Sequence, residues 1–274
     1  MNAPLAREWI LTFVGAGNMA AALVSGIVRA KLLPFQRLRV TDTECGRRDY
    51  FQATFGVAGF EHNADGVRGA QIVVLAVKPQ VMAAVMPEIG AALDQGALVI
   101  SIAAGISTCW LEQRLPRGTR IVRVMPNMPA LVGEGVSVYC PGSRVTEDDA
   151  RLVESLFQSV GVVERLDEKH FDAVTALSGS GPAYVFFMAE FMMQVGCEMG
   201  LDHATAKRLT LGTIRGAARL LEETGQEPEE LRRRVTSKGG TTAAAMDVLE
   251  TGRVKEIFIK AIRAAQKRSR ELSG

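Results

Sequence analysis

The sequence predicts an α/β protein: a Rossmann-type, doubly wound, mostly parallel sheet followed by an all-α dimerisation domain. Three observations predict it. Strand-length apolar runs alternate with helical periodicities through the first half of the chain, the pattern of a parallel sheet with helical crossovers. A glycine turn, Gly15-Ala16-Gly17-Asn18-Met19-Ala20, closes the first apolar run and opens a helical pattern. From about Asp167 the strand pattern disappears and long helical periods take over. The expected domains are residues 1–166, which carry the sheet, and residues 167–274, which are helical. A chain of 274 residues with 47% hydrophobic residues suits one large or two modest domains.

The first strand is the β-favouring run 9–14. In the turn after it, Gly15 permits the tight bend and Gly17 lets the backbone approach a pyrophosphate. Small Ala20 lets helix and strand pack closely. The amides of Asn18, Met19 and their neighbours at this helix start would face phosphates. The second strand, 38–41, ends at Asp42, where an acid can accept hydrogen bonds from the adenine-ribose diol of NAD. It would repel a 2′-phosphate, yet Arg47 and Arg48 follow and could pair with one. Asp42 could instead cap the next helix, expected near 44–54. NAD and NADP therefore both stay open.

A short strand near 57–60 follows, with Asn63 before a short helix as an N-cap or a ribose contact. The runs 71–77 and 97–102 are apolar throughout, as strands buried on both faces must be. A helix over 79–93 lies between them. Runs 120–125, 135–139 and 161–165 complete the expected sheet. Ligands of such sheets sit outside the carboxyl ends of the strands. Those ends carry Ala76-Val77-Lys78-Pro79, then Ser101-Ile102-Ala103, then Met125-Pro126-Asn127. Asn127 could hydrogen-bond a nicotinamide amide. Lys78 could be a catalytic cation or a phosphate or ribose contact.

Helical periods then cover 171–177, 182–199, 204–223, 228–235, 242–249 and 253–272. The second of these, with Tyr184, Phe186, Phe187, Met188, Phe191, Met192 and Met193, is apolar on nearly every side. It must be enclosed, in one core or between two subunits. Between the last helices lies Ser237-Lys238-Gly239-Gly240-Thr241-Thr242. A chain bent by the glycines and capped by Thr241 or Thr242 would aim free amides at one point, favouring a carboxylate.

The net charge of +2 gives no broad field for nucleic acid or acidic membranes. No apolar stretch reaches a membrane span, and the first eight residues lack a signal-peptide core. Cys45, Cys109, Cys140 and Cys197 are scattered without metal-ligand spacing and read as free thiols in a reducing cytoplasm.

Together these segments resemble pyrroline-5-carboxylate reductases. The matching pieces are 14–20, 76–79, 101–105, 123–129, the run Ser178-Gly179-Ser180-Gly181-Pro182-Ala183-Tyr184, and 235–245, in the family order. The resemblance implies reduction of (S)-1-pyrroline-5-carboxylate to L-proline, the last step of proline biosynthesis, with NADPH or NADH. It implies an interleaved homodimer and, in many relatives, a decamer of five dimers. By motif position, Thr242 would hydrogen-bond the ring nitrogen. Ser237, Gly239, Gly240 and Thr241 would grip the substrate carboxylate beside Met125, and Asn63 would contact the cofactor ribose. Gly15, Gly17, Asn18, Met19, Ala20, Asp42, Ala76, Val77, Lys78, Pro79, Ala103 and Asn127 complete the implied cofactor set. Two departures stand out: Lys238 where several relatives have proline, and Asp42 where some NADPH users have a small hydroxyl residue. A β-hydroxyacid dehydrogenase would need a basic lysine in the stretch 178–187, which has none. A non-enzymatic NAD(P)H sensor is the remaining alternative, separated by assay.

Overall fold

The computed structural model describes residues 8–273; the segment read as lacking a signal-peptide core lies almost wholly outside them. The chain divides into two compact units. One is built up to Gly179 together with the segment from Ala265 onward; the other is Ser180–Ala264.

The first unit holds an eight-stranded sheet, in chain order β1 (Leu11–Val14), β2 (Leu38–Thr41), β3 (Ala58–Phe60), β4 (Ile72–Leu75), β5 (Leu98–Ser101), β6 (Arg120–Met125), β7 (Gly135–Pro141) and β8 (Gly161–Arg165). Its spatial order is β3-β2-β1-β4-β5-β6-β7-β8. The first six strands are parallel, and Val14 lies level with both Thr41 and Leu75. Their carboxyl ends therefore open on one edge, and the order reverses at β1–β4, where a crevice forms.

The apolar runs follow from two-sided burial. In β4, Ile72 and Val74 join the core on one face, while Val73 and Leu75 join the core on the other. One face is covered by α1 (Asn18–Arg29) and α2 (Cys45–Phe55). The other is covered by α3 (Asn63–Val67), α4 (Pro79–Ala92) and α5 (Thr108–Glu112). Each side chain of such a strand meets a helix layer, so polar alternation is absent.

Two features go beyond the sequence reading of a mostly parallel sheet. Strand β7 runs antiparallel to β6, because the connection between them is a short helical turn, Met128–Val132, too brief for a crossover. The sequence reading also passed over α6 (Glu147–Gln158), which covers the first face. Its signature was present: Thr146 and Asp149 form a reciprocal capping box ahead of Leu152, Val153, Leu156 and Phe157. After β8, α7 (Phe171–Val174) runs into a single π-turn, Thr175–Gly179.

The second unit is helical: α8 (Gly181–Glu198), α9 (His203–Thr224), α10 (Pro228–Val235), α11 (Thr241–Thr251) and most of α12 (Val254–Ser273). Helices α8 and α9 form a hairpin with small residues at its seam. A methyl group on Gly196 would sit 3.2 Å from the Ala206 side chain. Asp202 caps α9 by accepting a hydrogen bond from the Thr205 amide at 3.0 Å. Only Ala189 and Gly196 of α8 are buried within the chain; Phe187 is 63% exposed and Met199 74%. Within the helical unit, then, most of this helix's apolar surface is left uncovered. No helix among the described residues is long and apolar enough to cross a membrane.

Candidate functional site

A cleft of about 340 Å³ opens at the carboxyl ends of β1, β2 and β4. Gly15 and Gly17 line it from the first turn, Asp42 and Arg47 from the second, Asn63 from α3, and Ala76, Val77 and Lys78 from the start of α4.

The two glycines serve different ends. Gly15 has a φ of +101°, and a methyl group there would lie 2.8 Å from the Ala76 carbonyl oxygen. Its amide donates to the Thr41 carbonyl at 2.8 Å. The protein's own backbone leaves no room for a side chain. Gly17 is extended, precedes the first residue of α1, and would have nothing within 4 Å of an added methyl group. The space above it is open to a ligand. The first amide bond of α1 runs from Ala21 to the Gly17 carbonyl, so the amides of Asn18, Met19 and Ala20 have no partner within the helix. An open cradle beside unpaired amides at a helix start fits a pyrophosphate, so a dinucleotide suits these residues. Ala20 itself is fully buried against the sheet, as close helix packing requires.

Asp42 does not cap α2; Glu44 occupies that position without a side-chain bond. The carboxylate instead accepts from the Ala16 amide and the Glu44 amide, each at 3.0 Å, and so ties the glycine turn to the end of β2. Arg47 lies 3.5 Å from it and lines the cleft. Arg48 is turned away onto the carbonyls of Asp42 and Thr43 and toward Glu61. Of the two candidate phosphate partners, only Arg47 faces the cleft. Sequence reasoning also missed Val81 and Val85, which line it at i, i+4 on α4 and give it an apolar wall.

Asn63 is the first residue of α3 and His62 its cap, so Asn63 is not the N-cap. Its amide oxygen accepts from the Thr41 hydroxyl at 2.6 Å and its nitrogen donates to Glu88 at 2.8 Å. Ala103 and Asn127 are not among the residues that line the cleft. Ala103 is packed in the core under α4 and α5. Asn127 is 7% exposed; it donates to the Ser178 carbonyl at 3.0 Å and accepts from the Val136 amide at 2.8 Å. It pins the end of β6 to the π-turn and to β7. Met125 packs against Val138, Cys140, Phe171 and Val174.

Beside these lies a partly buried ion pair. Glu168 accepts from the Thr108 amide at 2.9 Å, the Thr108 hydroxyl at 2.7 Å and Arg123 at 2.9 Å. Arg123 also sits over the Phe171 ring. Burial alone would raise the Glu168 carboxyl, but the bonds from Thr108 and Arg123 bring it below its ordinary range.

In the helical unit, Gly239 has a φ of +72° and the Gly240 amide donates to the Ser237 carbonyl at 3.0 Å. The left-handed φ at Gly239 favours glycine there, and a methyl group on Gly240 would lie 2.5 Å from the Ser237 hydroxyl, which would have to turn away. Neither threonine caps α11. Gly240 takes that position, and Thr241 and Thr242 are its first helical residues. The helix's first amide bond runs from Ala244 to Gly240, so the amides of Thr241, Thr242 and Ala243 have no intrahelical partner.

The fold and this cleft define a dinucleotide-binding oxidoreductase with an appended helical unit. A family model described as NADP oxidoreductase coenzyme F420-dependent matches residues 10–105. Another, for pyrroline-5-carboxylate reductase dimerisation, matches residues 168–272. The chain is 40% identical over 269 residues to the Arabidopsis thaliana pyrroline-5-carboxylate reductase, covering 98% of this chain and 97% of that one. It is 42% identical over 264 residues to the Pseudomonas aeruginosa enzyme, covering 96% of each. Among solved structures, the pyrroline-5-carboxylate reductase of Coxiella burnetii matches with a TM-score of 0.88 at 40% identity, covering 96% of this chain and 98% of that one. The Plasmodium falciparum enzyme, with NADP bound, matches at 0.90 and 32%, covering 98% and 99%. The chain belongs to the pyrroline-5-carboxylate reductase family.

Proposed function

We propose that this protein reduces (S)-1-pyrroline-5-carboxylate to L-proline with NADPH or NADH, in the cytoplasm, as the last step of proline biosynthesis. The observation that carries this reading is similarity along nearly the full chain to reductases of that name. Residues 1–166 bind the dinucleotide through the cradle at Gly17, with Asp42, Asn63 and Lys78 around it. When bound, the nicotinamide supplies the hydride.

Residues 167–274 bind substrate and dimerise. The unpaired amides of Thr241 and Thr242, with the Ser237 hydroxyl, hold the carboxylate of the ring. The Thr242 hydroxyl hydrogen-bonds the ring nitrogen and keeps a proton on it. A protonated cyclic imine is already a good hydride acceptor, so the protein's main task is positioning, which can lower a barrier by roughly 7–11 kcal/mol. The exposed apolar side chains of α8 support a homodimer, and five such dimers can build a decamer. Asp42 favours NADH by its charge; Arg47 beside it favours a 2′-phosphate.

The test is Thr242→Ala, assayed by nicotinamide absorbance with pyrroline-5-carboxylate. Turnover should fall on the order of 10²-fold, about the worth of one hydrogen bond to a charged group. Melting temperature should hold, and Thr242→Ser should recover most of the rate. Unchanged kinetics would remove Thr242 from the chemistry.

A further inference from the structure

Glu88 lies on α4, apart from the residues that line the cleft, yet it reaches one of them. One carboxylate oxygen accepts from the Asn63 side-chain nitrogen at 2.8 Å, and the other accepts from the Ala64 amide at 3.0 Å. On the opposite side, the buried Thr41 hydroxyl donates to the Asn63 amide oxygen at 2.6 Å. Asn63 itself lines the cleft with the glycine turn and Asp42.

A carboxylate can only accept, so it admits the nitrogen of the Asn63 amide and refuses the oxygen. A hydroxyl can donate or accept, so Thr41 adapts to either orientation. Glu88 alone therefore decides which way the amide is turned. With that orientation fixed, Asn63 keeps one N–H and one lone pair for a ligand in the cleft.

We propose that Glu88 is a positioning residue for the cofactor: it sets the orientation of the Asn63 amide that a bound dinucleotide meets. This rests on the reading of the cleft as the dinucleotide site. Glu88→Gln is the informative change. Its oxygen can keep the Ala64 amide, which turns its own NH₂ toward Asn63. Two donors would then face each other, and the Asn63 amide turns over, with Thr41 now accepting. The packing survives while the face offered to the ligand is exchanged.

Calorimetric titration with NADPH and with NADH should show Glu88→Gln binding about three- to tenfold more weakly, the worth of one hydrogen bond. The melting temperature should stay near that of the parent. The KM for the nucleotide should rise more than kcat falls. In an Asn63→Ala background the same change should add nothing, because the two residues act as one unit. If Asn63→Ala weakens binding and Glu88→Gln does not, the proposal fails while the site stands. If the Glu88→Gln loss persists undiminished in the Asn63→Ala background, Glu88 does not act through Asn63. If Asn63→Ala leaves binding of both nucleotides unchanged, the reading of Asn63 as a ligand contact falls, and the proposal with it.

Discussion

The two units of this chain treat their apolar residues in opposite ways. In the sheet unit, Leu11, Phe13, Ile72 and Leu75 are completely buried by helices from the same chain. In the helical unit, Phe186, Phe187, Val195 and Met199 stand in the open, and α8 buries only an alanine and a glycine. One unit completes its own core; the other leaves a large apolar face uncovered, the kind of face that marks an interaction surface. The dimerisation model that matches 168–272 spans the whole of that second unit together with the short segments of the first that flank it in sequence.

The largest expected effect breaks this contrast directly. Phe187→Glu places an unpaired charge on the face to be covered, a cost of several kcal/mol. The dimer dissociation constant should rise by roughly a hundredfold or more, measured by sedimentation. The equally radical Phe13→Glu should instead prevent the sheet unit from folding.

Next comes the pair of glycines. Gly15→Ala must fit a side chain against the Ala76 carbonyl at a φ of +101°. Strain of about 1–3 kcal/mol should lower the melting temperature by several degrees. Gly17→Ala meets no protein atom, so stability should hold while cofactor affinity falls on the order of tenfold. Equal destabilisation by both would show that the space at Gly17 is not reserved for a ligand.

Asp42→Ser sharpens the division between NADH and NADPH. Removing the carboxylate while Arg47 remains should shift the ratio of the two Michaelis constants toward NADPH by about tenfold, the worth of one contact to a charged group. No shift would confine Asp42 to tying the glycine turn.

The smallest effect concerns pH. Glu168 has its carboxyl lowered in the folded state, so its stabilisation is present above the unfolded value and is lost as pH falls through the lower folded value. Melting temperature should decline in that acidic window, and less steeply in Glu168→Gln, which has no charge to lose there.

Much of this was legible in the sequence because strand interiors and glycine turns are local. The runs 71–77 and 97–102 announce two-sided burial, and the turn at Gly15 sits between strand and helix where the motif requires it. What escaped depends on neighbours distant in sequence. Asp42 reads equally as a ribose contact or a helix cap; the cap is excluded only by its bonds from the Ala16 and Glu44 amides, the first of them across the turn. Asn127 is mostly buried, and its amide also ties β6 to Ser178 and Val136, contacts that no local pattern announces. Arg47 and Arg48 are adjacent and of one type; only packing separates the one in the cleft from the one on carbonyls. Nothing in the run around Glu88 marks it, because its role is defined by Asn63 and Thr41 on other elements. Helix α6, by contrast, was announced by its capping box and passed over.

The most direct measurement mixes the protein with NADPH or NADH and pyrroline-5-carboxylate and follows both the nicotinamide absorbance and the L-proline formed. Reduced nucleotide should disappear mole for mole with proline appearing, and only when the protein is present. Nucleotide that binds without being oxidised, and no proline above the protein-free blank, would contradict the assigned reaction.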